Sequence, residues 1–204
     1  MEHTANQILL RGGLVSPPQL SHENHGKRFF RFPLEVPRLS GTVDLLPVVV
    51  EETLLESTPI GPGAWVTVTG QIRSHNVYRD GRRHLMIFAF ATCLACEDGD
   101  PTNDVSLEGM LCREPTYRRT PLGREICDVM LAVPRAFQRA DYLPCILWGR
   151  TAQEAARCHT RDRITIQGRL QSRIYTKLTE DGPVDRTAYE ISALTASFPE
   201  EAED

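Results

Sequence analysis

Apolar residues along the chain fall in short runs, many with a period near two, separated by turn residues. That pattern predicts strands in place of long helices. In the C-terminal half, 104–112 alternates weakly and is followed by a turn-rich stretch from Glu114 to Gly123. Residues 126–134 predict a second strand and Leu143–Trp148 a third, rich in apolar side chains. Thr151–Cys158 has no β-branched residue after Thr151 and predicts a short helix. Arg163–Ser172 predicts a fourth strand with a glycine inside it, the mark of a bulge or a tight barrel bend, and Thr187–Ala193 predicts a fifth. Five strands with a short helix between the third and fourth is the order of an OB fold, a small Greek-key barrel. The N-terminal half predicts strands near 6–14, 28–37, 43–50, 64–73 and 84–92. Its helix is poor, because Glu51–Gly63 contains Pro59, Pro62 and two glycines.

The two halves are copies of one unit. At a shift of 97, residues 6–47 give 13 identities without a gap, among them Asn6 on Asn103, Gly12 on Gly109, Arg38 on Arg135 and Asp44 on Asp141. At a shift of 98, Gly70 falls on Gly168 and Ser74 on Ser172. The expected architecture is all-β: two tandem OB folds, five-stranded Greek-key barrels over 1–94 and 103–193. An acidic linker covers 95–102 and an acidic tail 194–204.

Charge refines this picture. The chain of 204 residues carries a net −4, which by itself argues against a nucleic-acid partner. Its distribution reverses that argument: the first barrel sums to +1, the linker to −3, the second barrel to +2 and the tail to −4. Hydrophobic residues at 41% and charged residues at 25% are those of an ordinary globular protein. No apolar run approaches the ~20 residues of a membrane span, and the N-terminus has no signal-peptide pattern, so a cytoplasmic, nucleoid-associated location without membrane contact is expected. The six cysteines read as small buried hydrophobes. Cys93-x-x-Cys96 is half a zinc site with no second pair at a suitable spacing, so neither metal nor cofactor is expected. No nucleophile–base pattern, P-loop or metal cluster appears, and the chain does not read as an enzyme.

The second copy resembles the bacterial single-stranded DNA-binding proteins. The likeness rests on Asn103, Leu107-x-Gly109, Pro115, Gly123, Leu131-Ala-Val133, the strand ending Leu147-Trp148-Gly149-Arg150, Ala152, and Gly168-Arg-Leu-Gln-Ser-Arg173. The resemblance implies sequence-independent binding of a single strand, with rings stacking on bases and cations tracking phosphates. Carried over residue by residue, the family's stacking positions fall on Phe137, Tyr142, Trp148 and Tyr175. Arg135, Arg139, Arg150, Arg169 and Arg173 stand among them as candidates for phosphate contact, and Arg118-Arg119 is a weaker candidate. The plainer reading of Trp148 and Tyr142 is as core residues beside a strand.

In the first copy the stacking positions become Ser40, Leu45, Glu51 and Val77, and Tyr78 is one residue out of register. That barrel is expected to have kept the fold and lost the usual surface. Arg73, Arg79, Arg82 and Arg83 around Asp80-Gly81 read equally as a basic binding loop and as a solvated hairpin. The resemblance implies an assembly with four OB folds, here a homodimer. The family's acidic tip ends in Pro-Phe and recruits replication and repair proteins, whereas Phe198-Pro199 here has the reverse order and precedes the acids. The tail therefore reads as a solubilising end in preference to a docking peptide. Two functions compete: protection of single-stranded DNA (RNA is a variant) in replication, recombination or repair, and an OB-fold scaffold of a replication-restart or conjugative machine with weak DNA binding.

Overall fold

The structure, a computed structural model, describes residues 5–79, 81–179 and 182–199. The first barrel comprises β1 (Asn6–Leu14), β2 (Gln19–Asn24), β3 (Lys27–Pro37), β4 (Val43–Glu51), α1 (Glu52–Ser57), β5 (Trp65–Arg79) and β6 (Arg82–Cys96). The second repeats the order as β7 (Thr102–Leu111), β8 (Thr116–Arg119), β9 (Glu125–Arg135), β10 (Arg139–Trp148), α2 (Gly149–Ala155), β11 (Arg163–Thr179) and β12 (Gly182–Ser197). β1 pairs with both β3 and β5, and β4 runs parallel to β6. This closes the barrel β1-β3-β4-β6-β5, and β7-β9-β10-β12-β11 closes the same way. Both are OB folds.

Alternation fills the interiors. Phe32, Leu34, Val36, Leu46, Val48, Ile72, Ala89 and Ala91 point into the first barrel, and Val129, Leu131, Val133, Leu143, Leu147, Ile166, Leu170 and Ile191 into the second. Gly70 and Gly168 stand at a bulge in each barrel, where an added Cβ would collide with the carbonyl oxygens of Phe90 and Ser192. Asn6 and Asn103 do the same work in each copy. The side chain of Asn6 accepts from the Ile72 N–H at 2.8 Å and donates to its carbonyl at 2.7 Å; Asn103 does so with Leu170 at 2.9 and 2.7 Å.

Four expectations need correction. β2 and β8 are additional short strands in the predicted turn regions, held by hairpins onto β3 and β9. The strands of the two final hairpins run well past the predicted 64–73, 84–92, 163–172 and 187–193, because β-branched and aromatic residues such as Val77, Tyr78, Ile174 and Tyr175 keep the ladder going after the barrel ends. β6 also continues to Cys96, opposite Val66, and β12 to Ser197, opposite Thr165, past the expected domain limits. Of the cysteines, Cys127, Cys145 and Cys158 are buried, but Cys93, Cys96 and Cys112 are exposed, since they lie at strand ends or on outer faces. Among the described residues, no cluster of three or more acidic, cysteine or histidine side chains could hold a metal, and no helix is long and apolar enough to cross a membrane.

The barrels are joined through their first strands. β1 and β7 pair antiparallel from Asn6 opposite Leu107 to Arg11 opposite Thr102, with Ile8 opposite its own repeat equivalent Val105 at the centre. A local two-fold axis therefore passes through that pair, and all twelve strands form one continuous sheet. The acidic linker is anchored too: Glu97 accepts from Arg11 at 3.0 Å, and bonds from Thr67 and Arg11 hold its carboxyl below the usual range.

Candidate nucleic-acid interface

Side chains that point away from the interior of the second barrel share one face across β9, β10, β12 and β11. On β10 these are Tyr142, Pro144, Ile146 and Trp148; on β11 they are Arg169, Gln171, Arg173 and Tyr175. Trp148 remains 37% exposed while its indole N–H donates to Ser192 Oγ at 3.1 Å, which pins the polar edge of the ring. Tyr142 is 47% and Tyr175 39% exposed, so none of the three belongs to the core.

Phe137 stands at the tip of the β9–β10 hairpin and is 93% exposed. Its φ is 60° and that of Gln138 is 54°, two successive non-glycine residues in the left-handed region. Such backbone costs about 1–3 kcal/mol per residue and clusters at functional sites. A ring displayed in water on a strained turn has no packing role to explain it.

The five arginines divide by charge compensation. Arg135 lies 3.5 Å from the buried Asp141, Arg150 2.9 Å from Glu154 one helical turn on, and Arg173 3.7 Å from Glu190 with its guanidinium 5.9 Å from the Tyr175 ring centre. Arg139 and Arg169 have no acidic partner among the described residues, and the buried Nε of Arg169 makes no hydrogen bond. Arg118 and Arg119 are paired with Asp128 at 2.8 Å and Glu125 at 2.9 Å. Of the first-barrel cluster, Arg83 lies 5.7 Å from the Tyr78 ring centre, while Asp80 and the side chain of Arg79 lie outside the described residues.

Arg73 has a different task. It reaches Asp141 at 3.1 Å, across the seam between barrels. Asp141 also accepts from the Ser74 N–H at 2.7 Å, and Ser74 Oγ accepts from the Tyr142 N–H at 2.7 Å. The two-fold counterpart is Asp44, which accepts from the Ser172 N–H at 2.7 Å and from Arg38 at 2.5 and 2.6 Å; its bond raises the Arg38 pKa. Both aspartates are fully buried. Sequence comparison found these residues only as repeated identities; a charged residue repeated in two otherwise diverged copies was the available signal. Two further features escaped it. Leu39 is wholly exposed at the β3–β4 tip, one position from Ser40, and Ile174 and Leu178 are exposed along the β11–β12 hairpin. In the tail, Phe198 packs against the core near Arg157 and Cys158, and residues 200–204 lie outside the described residues.

The sequence pattern of the family described as Single-strand binding protein family matches residues 102–199. Single-stranded DNA-binding protein B of Bacillus subtilis is 36% identical over 103 residues, 47% of this chain and 88% of that protein. Single-stranded DNA-binding protein 2 of Listeria innocua serovar 6a is 34% identical over 80 residues, 36% of this chain. The match spans 50% of the length of that relative and about as much of several others. The wild-type single-stranded DNA binding protein from Thermus aquaticus superposes with a TM-score of 0.78 over 98% of this chain and 95% of that chain, at 22% identity, a likeness of fold.

Proposed function

The chain belongs to the single-strand binding protein family, and from that premise we propose that it coats single-stranded DNA without regard to sequence during replication, recombination or repair. It is a binding protein and not an enzyme. The observation that carries the reading is the outer face of the second barrel, where four partly or fully exposed rings surround the uncompensated charges of Arg139 and Arg169. Bases stack on Trp148, Tyr142, Tyr175 and Phe137, each worth about 1–3 kcal/mol, and the two arginines take phosphates. The arginines already paired with acids contribute less, because binding must first displace their carboxylates.

A homodimer presenting four barrels fits the two-fold joint. A shallow cleft of about 740 Å³ lies over the β1–β7 seam between Gln7, Leu9, Asp104 and Ser106, where a second copy would meet equivalent residues of both barrels. Light scattering tests this directly, a dimer mass being expected and a monomer overturning it.

The test of function is quenching of tryptophan fluorescence by oligo(dT) at low and high salt, with oligo(U) as the RNA competitor. Trp65 and Trp148 are the two tryptophans, so a Trp148→Phe control assigns the signal. Strong quenching that is lost in the control and weakens steeply with salt is expected. No binding at low salt would overturn the reading and leave a protein-binding OB scaffold.

A further inference from the structure

The first barrel has its own band of rings, at positions other than those the family resemblance points to. On β6, Ile87, Ala89 and Ala91 face inward, so Phe88 and Phe90 face out; on β3, Phe32 and Leu34 face inward, so Phe29 and Arg31 face out. Phe29 and Phe90 stand 6.0 Å apart across β4, His22 stacks on Phe29 at 4.8 Å and 11°, and His75 meets Phe88 edge-on at 5.6 Å. The rings thus cross the sheet from β2 to β5. The three phenylalanines are half-buried, His22 and His75 are exposed, and all five stand outside the packed interior.

Strand pairing shows what has happened. Val49 lies beside Phe90 as Ile146 lies beside Ser192, so Phe90 is the equivalent of Ser192 and Phe88 of Glu190. The aromatic residues missing from Ser40, Leu45, Glu51 and Val77 stand on neighbouring strands of the same outer face: β3 and β6 flank β4, β6 flanks β5, and Phe29 lies directly opposite Glu51. The charges follow. Glu51, at the position of Trp148, is neutralised by Lys27 at 2.9 Å; Arg31 is exposed without an acidic partner among the described residues; and Arg73 lies 5.9 Å from the Phe90 ring centre. Arg73 also binds Asp141, and its neighbour Ser74 binds the Tyr142 backbone, so this face adjoins the surface of the second barrel.

We propose that the first barrel carries a second single-strand-binding surface, in which Phe29, Phe88 and Phe90 stack bases and Arg31 holds backbone phosphate. A strand leaving Tyr142 then continues onto it across the seam. The inference rests on the function proposed above and adds to it: both barrels engage one strand, with different strands of the sheet supplying the rings.

The test compares strands of about 8 nucleotides, within the ~4–16 that one OB fold occupies, with strands of about 30. Phe88→Leu combined with Phe90→Leu keeps apolar packing and removes the rings. It is expected to leave affinity for the short strand unchanged and to lower affinity for the long one roughly tenfold, whereas Trp148→Ala lowers both. Ultraviolet cross-linking of oligo(dT) to the unmodified chain needs no variant; adducts are expected on 84–92 as well as around Trp148. Full affinity of the double variant for the long strand, or cross-links confined to 103–193, overturns the inference and leaves the proposed function standing. Absence of binding by the unmodified chain overturns both.

Discussion

In the second barrel the rings of the outer face sit on β10, β11 and a hairpin tip, whereas in the first they sit on β3 and the central strand β6. The interiors barely differ: the same bulge glycine, the same bridging asparagine and the same buried aspartate recur at equivalent places. The contrast teaches where each half is constrained. Close packing allows little change inside a barrel. On an outer face, several strands can supply a ring to the same patch, so a lost aromatic at one position says little about the patch as a whole.

The largest effect is expected at the seam, where the two halves are most alike. Removing one partner of a buried ion pair costs about 3–5 kcal/mol. Asp44→Ala and Asp141→Ala should each destabilise the chain by that order in denaturant unfolding, and a large difference between them would show that the two sides of the seam carry unequal load. Next comes binding. Trp148→Ala and Tyr175→Ala should each weaken a single strand by about 1–3 kcal/mol, and Leu45→Ala and Val77→Ala far less. Equal losses in all four, in stably folded protein, would dissolve the distinction between surfaces.

Salt sharpens the comparison further. For single strands the slope of log K against log salt falls by about 0.7 per phosphate contact. Arg139→Ala and Arg169→Ala should each flatten it by that amount, while Arg135→Ala and Arg150→Ala, whose charges already meet Asp141 and Glu154, should change it little. The smallest effect is chemical. At pH 8 a thiol reagent should label the exposed Cys93 and Cys96 of the first barrel readily. Cys127, pushed up to about 11 by burial, and the buried Cys145 should stay protected until unfolding. Rapid labelling of either would mean that the second barrel opens locally.

Much of the candidate site was legible. Tyr142, Trp148 and Tyr175 share one exposed face, and Phe137 stands at a hairpin tip beside it. What the residues did not disclose is which arginines are free. Arg135 and Arg139 are alike in sequence, yet one meets a buried carboxylate and the other meets water. Nor did they disclose that Arg73, read as part of a basic hairpin, is a strut between barrels. The first barrel was judged position against position, and that comparison is blind to Phe29, Phe88 and Phe90, which gather from segments about sixty residues apart.

By itself the sequence determined that there are two barrels, the order of their five barrel strands and which side chains fill them. Period-two alternation, turn residues and repeated glycines act locally and survive without knowledge of any partner strand. Only the tertiary structure decided how the barrels join, through β1 and β7 about a local two-fold axis, and where rings and unpaired cations collect on their outer faces. Those properties depend on register between strands distant in the chain and on whether an acid from the other barrel reaches a given arginine, neither of which is set by neighbours in sequence.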